Sequence, residues 1–580
     1  MRTGKQVSES VGRACKLLLG SAILTMAIAS CTSTSNGGSG GSAAGGSSKA
    51  SGGTTSSGGV TSSGGTTSSG GSKATGGTTS SGGATSAGGA TSAGGATSAG
   101  GSSSAGGSTS AAGGSSSAGG ATSAGGASGG GTTGIDGGPP PTGVTVQLDK
   151  TEQTIEGFGI NTALGGGISW DPAFSTTGND GIGLSIVRVG MNSDGSLSGD
   201  LSGAKSHNAK VIGSVWSAPA NCKDNNNTQQ GGHLLTSCYD SWSTTIANFA
   251  QKQGLYAMGA ANEPDFASCK AMGPPCTVDY DSMVYTANEM VAFVKVLGPK
   301  LKAVGVKLLA PEPSEWIHLW SNTSATGSTV ASHPNSSDPL KCGCFGNTPT
   351  TTGCASKCAT GDGYDYGHWL AKDATAWAAI DLLGTHEYDS QRAEPWPADV
   401  DGGKRTKTIY ETEVSGVQYW PEEGPSSDIN NGVAVAGWIH SALVVGEASA
   451  WLWWWYKASS NTDNEGLVTS SNPKRYYTLG NYSKFVRPGY VMVDVTGNSN
   501  TNVLLSAFTG TDGTAIVAIN KSTSAVSMPI TISGGSAPAS CTPNVTSASD
   551  NIKAGTAVTV TGGTFTASLA ATTVTTFLCK

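Results

Sequence analysis

The stretch YAMGAANEPDF, Tyr256–Phe266, joins a short apolar run to a polar turn. The apolar run is typical of a buried strand. Asn262, Glu263 and Pro264 follow it directly, and the proline favours an extended backbone at Glu263. The stretch therefore indicates a carboxylate at a strand end. That carboxylate is either a catalytic group or a solvated residue of an ordinary turn.

Seven further runs share this apolar character, and longer segments, some with helical periodicity, separate them. The eight predicted strands are Glu156–Thr162, Gly183–Gly190, Lys210–Trp216, Leu255–Ala260, Val306–Ala310, Ile380–His386, Lys407–Thr412 and Ser449–Trp455. Buried strands joined by helical crossovers predict a parallel α/β architecture, and eight of them predict a closed (β/α)8 TIM barrel. A doubly wound open sheet is the structural alternative.

The chain before the first strand has a different composition. Residues 1–31 resemble a lipoprotein-type signal peptide, because basic residues precede an apolar run, Leu17–Ala29, that is too short to span a bilayer. We expect Cys31 to be lipidated; the alternative is an ordinary cleaved signal in which Cys31 is incidental. Residues 32–143 are a low-complexity repeat of Gly, Ser and Thr, which predicts a disordered, flexible linker.

These features predict a protein that is exported. It would be an outer-membrane or cell-surface lipoprotein, or an extracellular protein, with the lipid as its only attachment to a membrane. The net charge is −7, and no basic stretch occurs beyond the extreme N-terminus. This argues against nucleic acid as a partner.

The folded part divides at about residue 480. Residues 144–480 are predicted to form the barrel, although the strand-like run Val144–Asp149 could instead join the next domain. Residues 481–580 have short alternating stretches typical of antiparallel strands. All 14 tryptophans lie between Trp170 and Trp455, so this C-terminal segment has no tryptophan platform for a sugar. We predict a structural antiparallel β-sandwich side domain.

The cysteine pattern fits an oxidising compartment. Of the 12 cysteines, Cys15 would leave with the signal and Cys31 would be lipidated, and the remainder predict about five disulfides. The near pairs are Cys222 with Cys238, Cys269 with Cys276, and Cys541 with Cys579, beside a group of Cys342, Cys344, Cys354 and Cys358. The group lacks the usual zinc spacing, so disulfides are favoured over zinc. We predict no metal site and no cofactor.

A second source of carboxylates follows the seventh predicted strand. In KTIYETEVSG, Glu411 and Glu413 lie two residues apart on one face. Active sites of such barrels lie at the C-terminal ends of the strands. Two carboxyl groups about 5 Å apart suit a retaining glycosidase, with one protonated donor and one ionised nucleophile. Spacing alone does not decide between Glu411 and Glu413. Glu312, which also precedes a proline at a strand end, is a parallel to Glu263.

The other strand ends are aromatic and polar, as a sugar site requires. They contribute Trp216, His386, Tyr388, Trp451 and the run Trp453–Trp455. The alternative is that these tryptophans fill the barrel interior and its contacts with the helices.

In this order the motifs resemble glycoside hydrolase family 30, over most of residues 144–580. They are EGFG, SIVRVGM, VWSAPANCKDN, NEP, IYETEVSG and NYSKFVRPGYVMVD. The resemblance implies a retaining enzyme with a barrel and a β-sandwich side domain. It places the acid/base at Glu263 and the nucleophile at Glu413. It also places Arg188 and Tyr388 near the nucleophile, Asn262 at the sugar 2-hydroxyl and Trp454 as the floor of a subsite. With the strand-end residues, the predicted substrate-binding set is Arg188, Trp216, Asn262, His386, Tyr388 and Trp454.

The resemblance also limits the range of expected substrates. Members of the family cut glucuronoxylan, β-1,6-glucan, β-1,6-galactan or glucosylceramide. The glucuronoxylan-specific type has an arginine pair after the eighth strand, where this chain has Lys457 as the only cation. We expect a monomeric endo-β-glycanase acting on xylan, with a β-1,6-glucanase or β-1,6-galactanase as the alternative. The alternative of another class is a non-catalytic carbohydrate-binding surface protein.

Overall fold

The structure is a computed structural model that describes residues 143–164, 168–266, 280–320, 365–388, 393–416, 428–457 and 465–580, with the backbone of 344–345 and 348–349. Several predictions concern residues outside these ranges. They are the signal peptide with Cys31, the linker up to residue 142, and the pairing of Cys269, Cys276, Cys342, Cys344, Cys354 and Cys358.

The described strands and helices are numbered here in chain order. The strands are β1 (Val144–Thr154), β2 (Gly157–Asn161), β3 (Ile186–Met191), β4 (Leu197–Ser198), β5 (Lys210–Val215), β6 (Ala257–Gly259), β7 (Lys307–Pro311), β8 (Cys344–Phe345), β9 (Thr348–Pro349), β10 (Leu382–His386), β11 (Thr408–Val414), β12 (Ala448–Lys457), β13 (Gly466–Val468), β14 (Val491–Thr496), β15 (Val503–Gly510), β16 (Gly513–Asn520), β17 (Val526–Ser533), β18 (Ser540–Thr546), β19 (Lys553–Ala554), β20 (Val558–Thr559), β21 (Thr564–Leu569) and β22 (Thr573–Cys579). The α-helices are α1 (Trp170–Phe174), α2 (Tyr239–Gln253), α3 (Ala287–Ala303), α4 (Trp316–Leu319), α5 (Tyr366–Lys372), α6 (Ala374–Ala379), α7 (Ile429–Val444) and α8 (Lys474–Ser483).

Eight parallel strands close into a barrel in the order β2, β3, β5, β6, β7, β10, β11 and β12, and β12 pairs back with β2. All eight predicted strands are present, and the closure excludes the open sheet. Closure requires strands that bury both faces. In β3, Ile186 belongs to a small apolar cluster shared by seven of the barrel strands. The next residue, Val187, packs in the larger core that includes the helices.

The C-terminal strands form a second, curled sheet in the order β19, β18, β22, β16, β15, β14, β1, β17 and β21, with β20 beside β18. The predicted β side domain is confirmed. β1 lies in this sheet, antiparallel to β14 and parallel to β17. The sheet therefore takes β1 from before the barrel sequence and its other nine strands from after it, so both ends of the barrel segment are anchored to it.

The boundary predicted at residue 480 falls inside α8. The N-terminal part of this helix contacts the barrel segment, where the Tyr476 hydroxyl donates to the Pro172 carbonyl at 3.0 Å. Its C-terminal part contacts the side sheet, where Thr546 donates to Asn481 Oδ1 at 2.6 Å. The helix is thus shared by the two domains.

Two of the predicted disulfides lie in the described ranges, and both are formed. Cys222–Cys238 joins the loop after β5 to the start of α2, and Cys541–Cys579 joins β18 to β22. No helix in the described ranges is long and apolar enough to cross a bilayer.

Candidate active site

The carboxylates from the fourth and seventh barrel strands meet at the mouth of the barrel. One oxygen of Glu263, one oxygen of Glu413 and one ring nitrogen of His386 all lie within 4.8 Å of one another. The Glu263 side chain is 12% exposed and the Glu413 side chain 6% exposed. This separation matches the short spacing of retaining glycosidases rather than the 6.5–9.5 Å or so of inverting ones.

The backbone at Glu263 differs from the sequence expectation. Its φ is 47°, in the left-handed region, and not extended as Pro264 would favour. Two main-chain bonds hold this turn against neighbouring strands: Glu263 N–H donates to the Glu312 carbonyl at 3.0 Å, and Asn262 N–H to the Val215 carbonyl at 2.7 Å. Hydrogen bonds to neighbouring parts of the barrel thus set this backbone conformation and the orientation of the carboxylate. The local preference of a residue before proline does not.

Arg188, on β3, connects three groups of the site and is fully buried. Its Nη1 donates to Glu413 Oε2 at 2.6 Å, and its Nη2 donates to Asn262 Oδ1 at 2.7 Å. Its Nε lies 3.3 Å from Glu312 Oε1. The guanidinium also lies over the Trp216 ring, 5.1 Å from the centroid. Arg188 therefore fixes one face of the Glu413 carboxylate and orients the Asn262 amide.

The other Glu413 oxygen accepts a hydrogen bond from the Tyr388 hydroxyl at 2.9 Å. Burial, with the Glu413 charge beside it, raises the pKa of Tyr388 well above its usual value, so this residue remains a phenol donor. His386 Nδ1 lies 3.3 Å from Glu263 Oε1. Burial and the positive charge of Arg188 lower the pKa of His386, although the nearby carboxylates, Glu413 first among them, act in the opposite direction. The ring is therefore neutral at physiological pH.

The two carboxyl groups have different electrostatic surroundings. Burial and the nearby Asp265 raise the pKa of Glu263 to about 8, in spite of Arg188. Burial also raises the pKa of Glu413, but the positive charge of Arg188 opposes that increase. Hydrogen bonds from Arg188 and Tyr388 stabilise the ionised form of Glu413. The arrangement therefore favours a proton on Glu263 and gives Glu413 the partners that stabilise its ionised form, which is the division that general acid catalysis with a carboxylate nucleophile requires.

The structure separates Glu411 from Glu413, which spacing alone could not. Glu411 is fully buried, and its two oxygens accept the backbone N–H groups of Glu413, at 2.9 Å, and Leu452, at 3.0 Å. Burial raises the pKa of Glu411 well above its usual value, and the negative charge of the neighbouring Glu387 raises it further. Backbone groups of β11 and β12 therefore hold both oxygens of Glu411, and burial favours its protonated form, whereas Glu413 faces Glu263.

The predicted aromatic residues divide into two groups. Trp216 and Trp454 lie together, with ring centroids 6.3 Å apart, and Trp454 stacks on Trp455 at 5.4 Å. These three rings form a separate apolar cluster with Ala163. Trp453 instead packs parallel to Trp438 of α7, at 6.4 Å. The alternative of a packing role therefore holds for Trp453, because it faces the helix layer.

The sequence reasoning gave no role to three buried acidic residues around the site: Glu312, named only as a parallel to Glu263, and Asp265 and Glu387, which it did not single out. Glu312 contacts Arg188, and Asp265 is bonded by Ser314 and by His318 Nδ1 at 2.5 Å. Glu387 accepts from Trp451 Nε1 at 3.2 Å. Each lies within a few residues of a recognised strand end. Closeness to a predicted strand end could have drawn attention to these residues. It does not show which of the side chains near a strand end point into the site.

Glu263, His386 and Glu413 form the one group of ligand-type side chains in the described ranges that lies close enough to hold a metal ion. Arg188 donates to Glu413 within this group, so a cation bound there would face a buried guanidinium. The arrangement suits proton transfer and nucleophilic attack better than cation binding.

Relatives of the chain extend these observations. No model of a known protein family matches it. Over 458 residues it is 29% identical to the glucuronoxylanase XynC of Bacillus subtilis (strain 168), which covers 75% of this chain and 91% of that protein. A GH30 endoxylanase structure from Clostridium papyrosolvens C71 is 26% identical with a TM-score of 0.54, covering 76% of this chain and 100% of that one.

A second solved structure is similar in fold. It is the glycoside hydrolase family 30 subfamily 8 xylanase, Xyn30A, from Clostridium acetobutylicum, with a TM-score of 0.56 and 24% identity over 76% of this chain and 100% of that chain. The similar region in each case is about as long as the barrel and side sheet together.

Proposed function

Because the folded part of the chain belongs to glycoside hydrolase family 30 and is a retaining glycoside hydrolase, we propose that it is an endo-β-glycanase that hydrolyses xylan by double displacement. The observation that supports this most directly is the approach of Glu263 and Glu413 within 4.8 Å at the barrel mouth. In this proposal Glu263 is the acid/base and Glu413 the nucleophile.

In the first step a Glu413 oxygen attacks the anomeric carbon while Glu263 gives its proton to the departing glycosidic oxygen. The glycosidic bond breaks, and a covalent glycosyl ester forms on Glu413. Arg188 and Tyr388 hold the attacking carboxylate in one orientation. The His386 ring lies against Glu263. Because the ring is neutral, it adds no positive charge that would favour loss of the Glu263 proton.

In the second step Glu263, now ionised, takes a proton from a water molecule. The resulting hydroxide attacks the anomeric carbon, the ester bond breaks, and Glu413 returns to its ionised form. The two inversions retain the anomeric configuration. Asn262, held by Arg188 at 2.7 Å, is proposed to contact the 2-hydroxyl of the sugar, and Trp454 to form the floor of its subsite.

Xylan is proposed as the substrate because relatives at 29% and 26% identity are a glucuronoxylanase and an endoxylanase. The end of β12 presents the exposed Lys457 in place of an arginine pair, which argues against strict dependence on glucuronate side groups. β-1,6-Glucan and β-1,6-galactan are the alternative substrates.

A product profile tests this proposal. The purified enzyme is incubated with glucuronoxylan, arabinoxylan, β-1,6-glucan and β-1,6-galactan, and products are followed over time. We expect both xylans to be cut, with long oligosaccharides appearing first, as endo action requires. Cleavage of β-1,6-glucan alone would replace the substrate but keep the mechanism. No cleavage of any β-glycan would contradict the proposed function.

We also propose that the enzyme is exported and acts as a monomer without a cofactor. The support for tethering is the sequence alone: a lipidated Cys31 followed by a linker of about a hundred residues would let the barrel reach insoluble glycan at a distance from the membrane. Replacement of Cys31 by serine is the direct test of the lipid attachment.

The pH dependence of kcat/KM follows from the two carboxyl groups. Activity should fall at low pH, because Glu413 becomes protonated and cannot attack. It should fall again as the pH rises through about 8, the value to which burial and Asp265 raise the pKa of Glu263, because the acid has then lost its proton. A bell-shaped profile measured on soluble xylan would agree. A rate that keeps increasing beyond pH 9 or so would exclude Glu263 as the acid.

A further inference from the structure

Glu312 is a fully buried carboxylate that none of the steps above uses. It follows β7, and glycines in the two neighbouring strands leave room for it. A Cβ on Gly259 would lie 2.0 Å from its Oε2, and one on Gly384 would lie 2.6 Å from its Cγ. Ser214 on β5 donates to Oε2 at 2.7 Å. Three strands therefore accommodate this side chain in one defined position.

The charged partner of Glu312 is Arg188, also fully buried, with Nε and Oε1 separated by 3.3 Å. Within the described ranges, neither of these two atoms has a hydrogen-bond partner. The contact is therefore ionic and not a directed hydrogen bond. Because Nη1 and Nη2 of the same guanidinium bond Glu413 and Asn262, Arg188 lies between two carboxylates.

We propose that Glu312 is a positioning residue that balances the charge of Arg188 throughout the double displacement, an inference that rests on the function proposed above. When Glu413 becomes a glycosyl ester it loses its negative charge. Without Glu312, Arg188 would then be a buried cation beside the neutral Asn262, which is costly in a protein interior. With Glu312 in place the pair stays neutral at that stage.

Glu312 also acts before the ester forms. A guanidinium that bonded only one carboxylate would stabilise the ionised Glu413 strongly and make it a weaker nucleophile. Sharing Arg188 between two carboxylates divides that attraction. The Glu312 charge also favours the protonated form of Glu263. Glu312 therefore supports both members of the catalytic pair, although it does not face the substrate.

The test is the Glu312→Gln variant, which keeps the size of the side chain and removes its charge. We expect kcat to fall at least about tenfold with little change in KM, and both limbs of the kcat/KM profile to move to lower pH by at least about half a unit. The titratable and charged groups that face the pair are Arg188, Glu312, Asp265, His386, Tyr388 and Glu411, with Glu387 behind Glu411; only Glu312 is altered.

Ser214→Ala is the matched control, because it removes the hydrogen bond to Glu312 but leaves the charge. Its pH profile should stay in place. A second measurement needs no substrate: the carboxyl ¹³C signals of Glu263 and Glu413 are titrated in the wild type and in Glu312→Gln. We expect both to titrate at lower pH in the variant.

The two measurements separate the two proposals. If the wild type cuts no β-glycan, the proposed function fails, while the titration still decides the charge-balancing role. Unchanged titration of both carboxyls in Glu312→Gln would overturn that role even if activity fell. If the glutamine variant does not fold, Glu312→Asp, which retracts the charge, should show smaller shifts in the same direction, and no shift would overturn the proposal.

Discussion

Replacement of Glu413 by glutamine is expected to reduce glycan hydrolysis by about 10⁴-fold or more while leaving glycan binding largely intact. Glutamine keeps the shape of the side chain and can still accept from Tyr388 or Arg188, but it offers no anionic oxygen to attack the anomeric carbon. The measurements are kcat on soluble xylan and the dissociation constant for a xylo-oligosaccharide by calorimetry.

Glu411→Gln is the matched control for this prediction. It changes a carboxylate on the same strand, two residues away, whose oxygens bond the backbone of Glu413 and Leu452. We expect this variant to lose stability, because an amide nitrogen cannot accept a backbone N–H, and to keep a far larger share of its turnover. Normal turnover by Glu413→Gln would disprove the assignment and make Glu411 the next candidate.

The second large effect is expected for Glu263→Gln. Loss of the proton donor should reduce kcat on xylan by about 10²–10⁴-fold. The loss should be much smaller for an aryl xyloside with an acidic phenol as the leaving group, because that group departs without protonation. The alkaline limb of the pH profile should also disappear, since Glu263 is the group that titrates there.

Azide provides the discriminating test for this variant. A small anion can occupy the space near residue 263 and attack the glycosyl ester without a general base, so azide should restore turnover of Glu263→Gln and yield a β-glycosyl azide. Azide should not restore turnover of Glu413→Gln with formation of a β-glycosyl azide, because that variant forms no glycosyl ester. Equal losses on xylan and on the aryl xyloside would contradict the acid role.

The fold could be predicted because its signal is local and repeated. Each barrel strand is a near-continuous apolar run, and the closed parallel sheet buries both faces of such strands. The two described disulfides also followed from neighbouring cysteines. The backbone at Glu263 could not be predicted in this way. Its left-handed φ accompanies a bond to the Glu312 carbonyl, which lies just after β7 in a separate part of the chain.

The sequence by itself determined the barrel, the side domain and the strand ends at which carboxylates occur, because hydrophobic period and motif order are properties of the chain. Only the tertiary structure decided which carboxylates face each other. Glu411 and Glu413 are indistinguishable by spacing, but backbone N–H groups from two strands occupy the first, whereas Arg188 and Tyr388 hold the second toward Glu263. Likewise, Glu312 and Glu263 both precede a proline, and only the position of Arg188 shows that one is its counter-charge. These differences depend on contacts between separate segments of the chain, such as the one between Arg188 and Glu413, 225 positions apart, which no local pattern encodes.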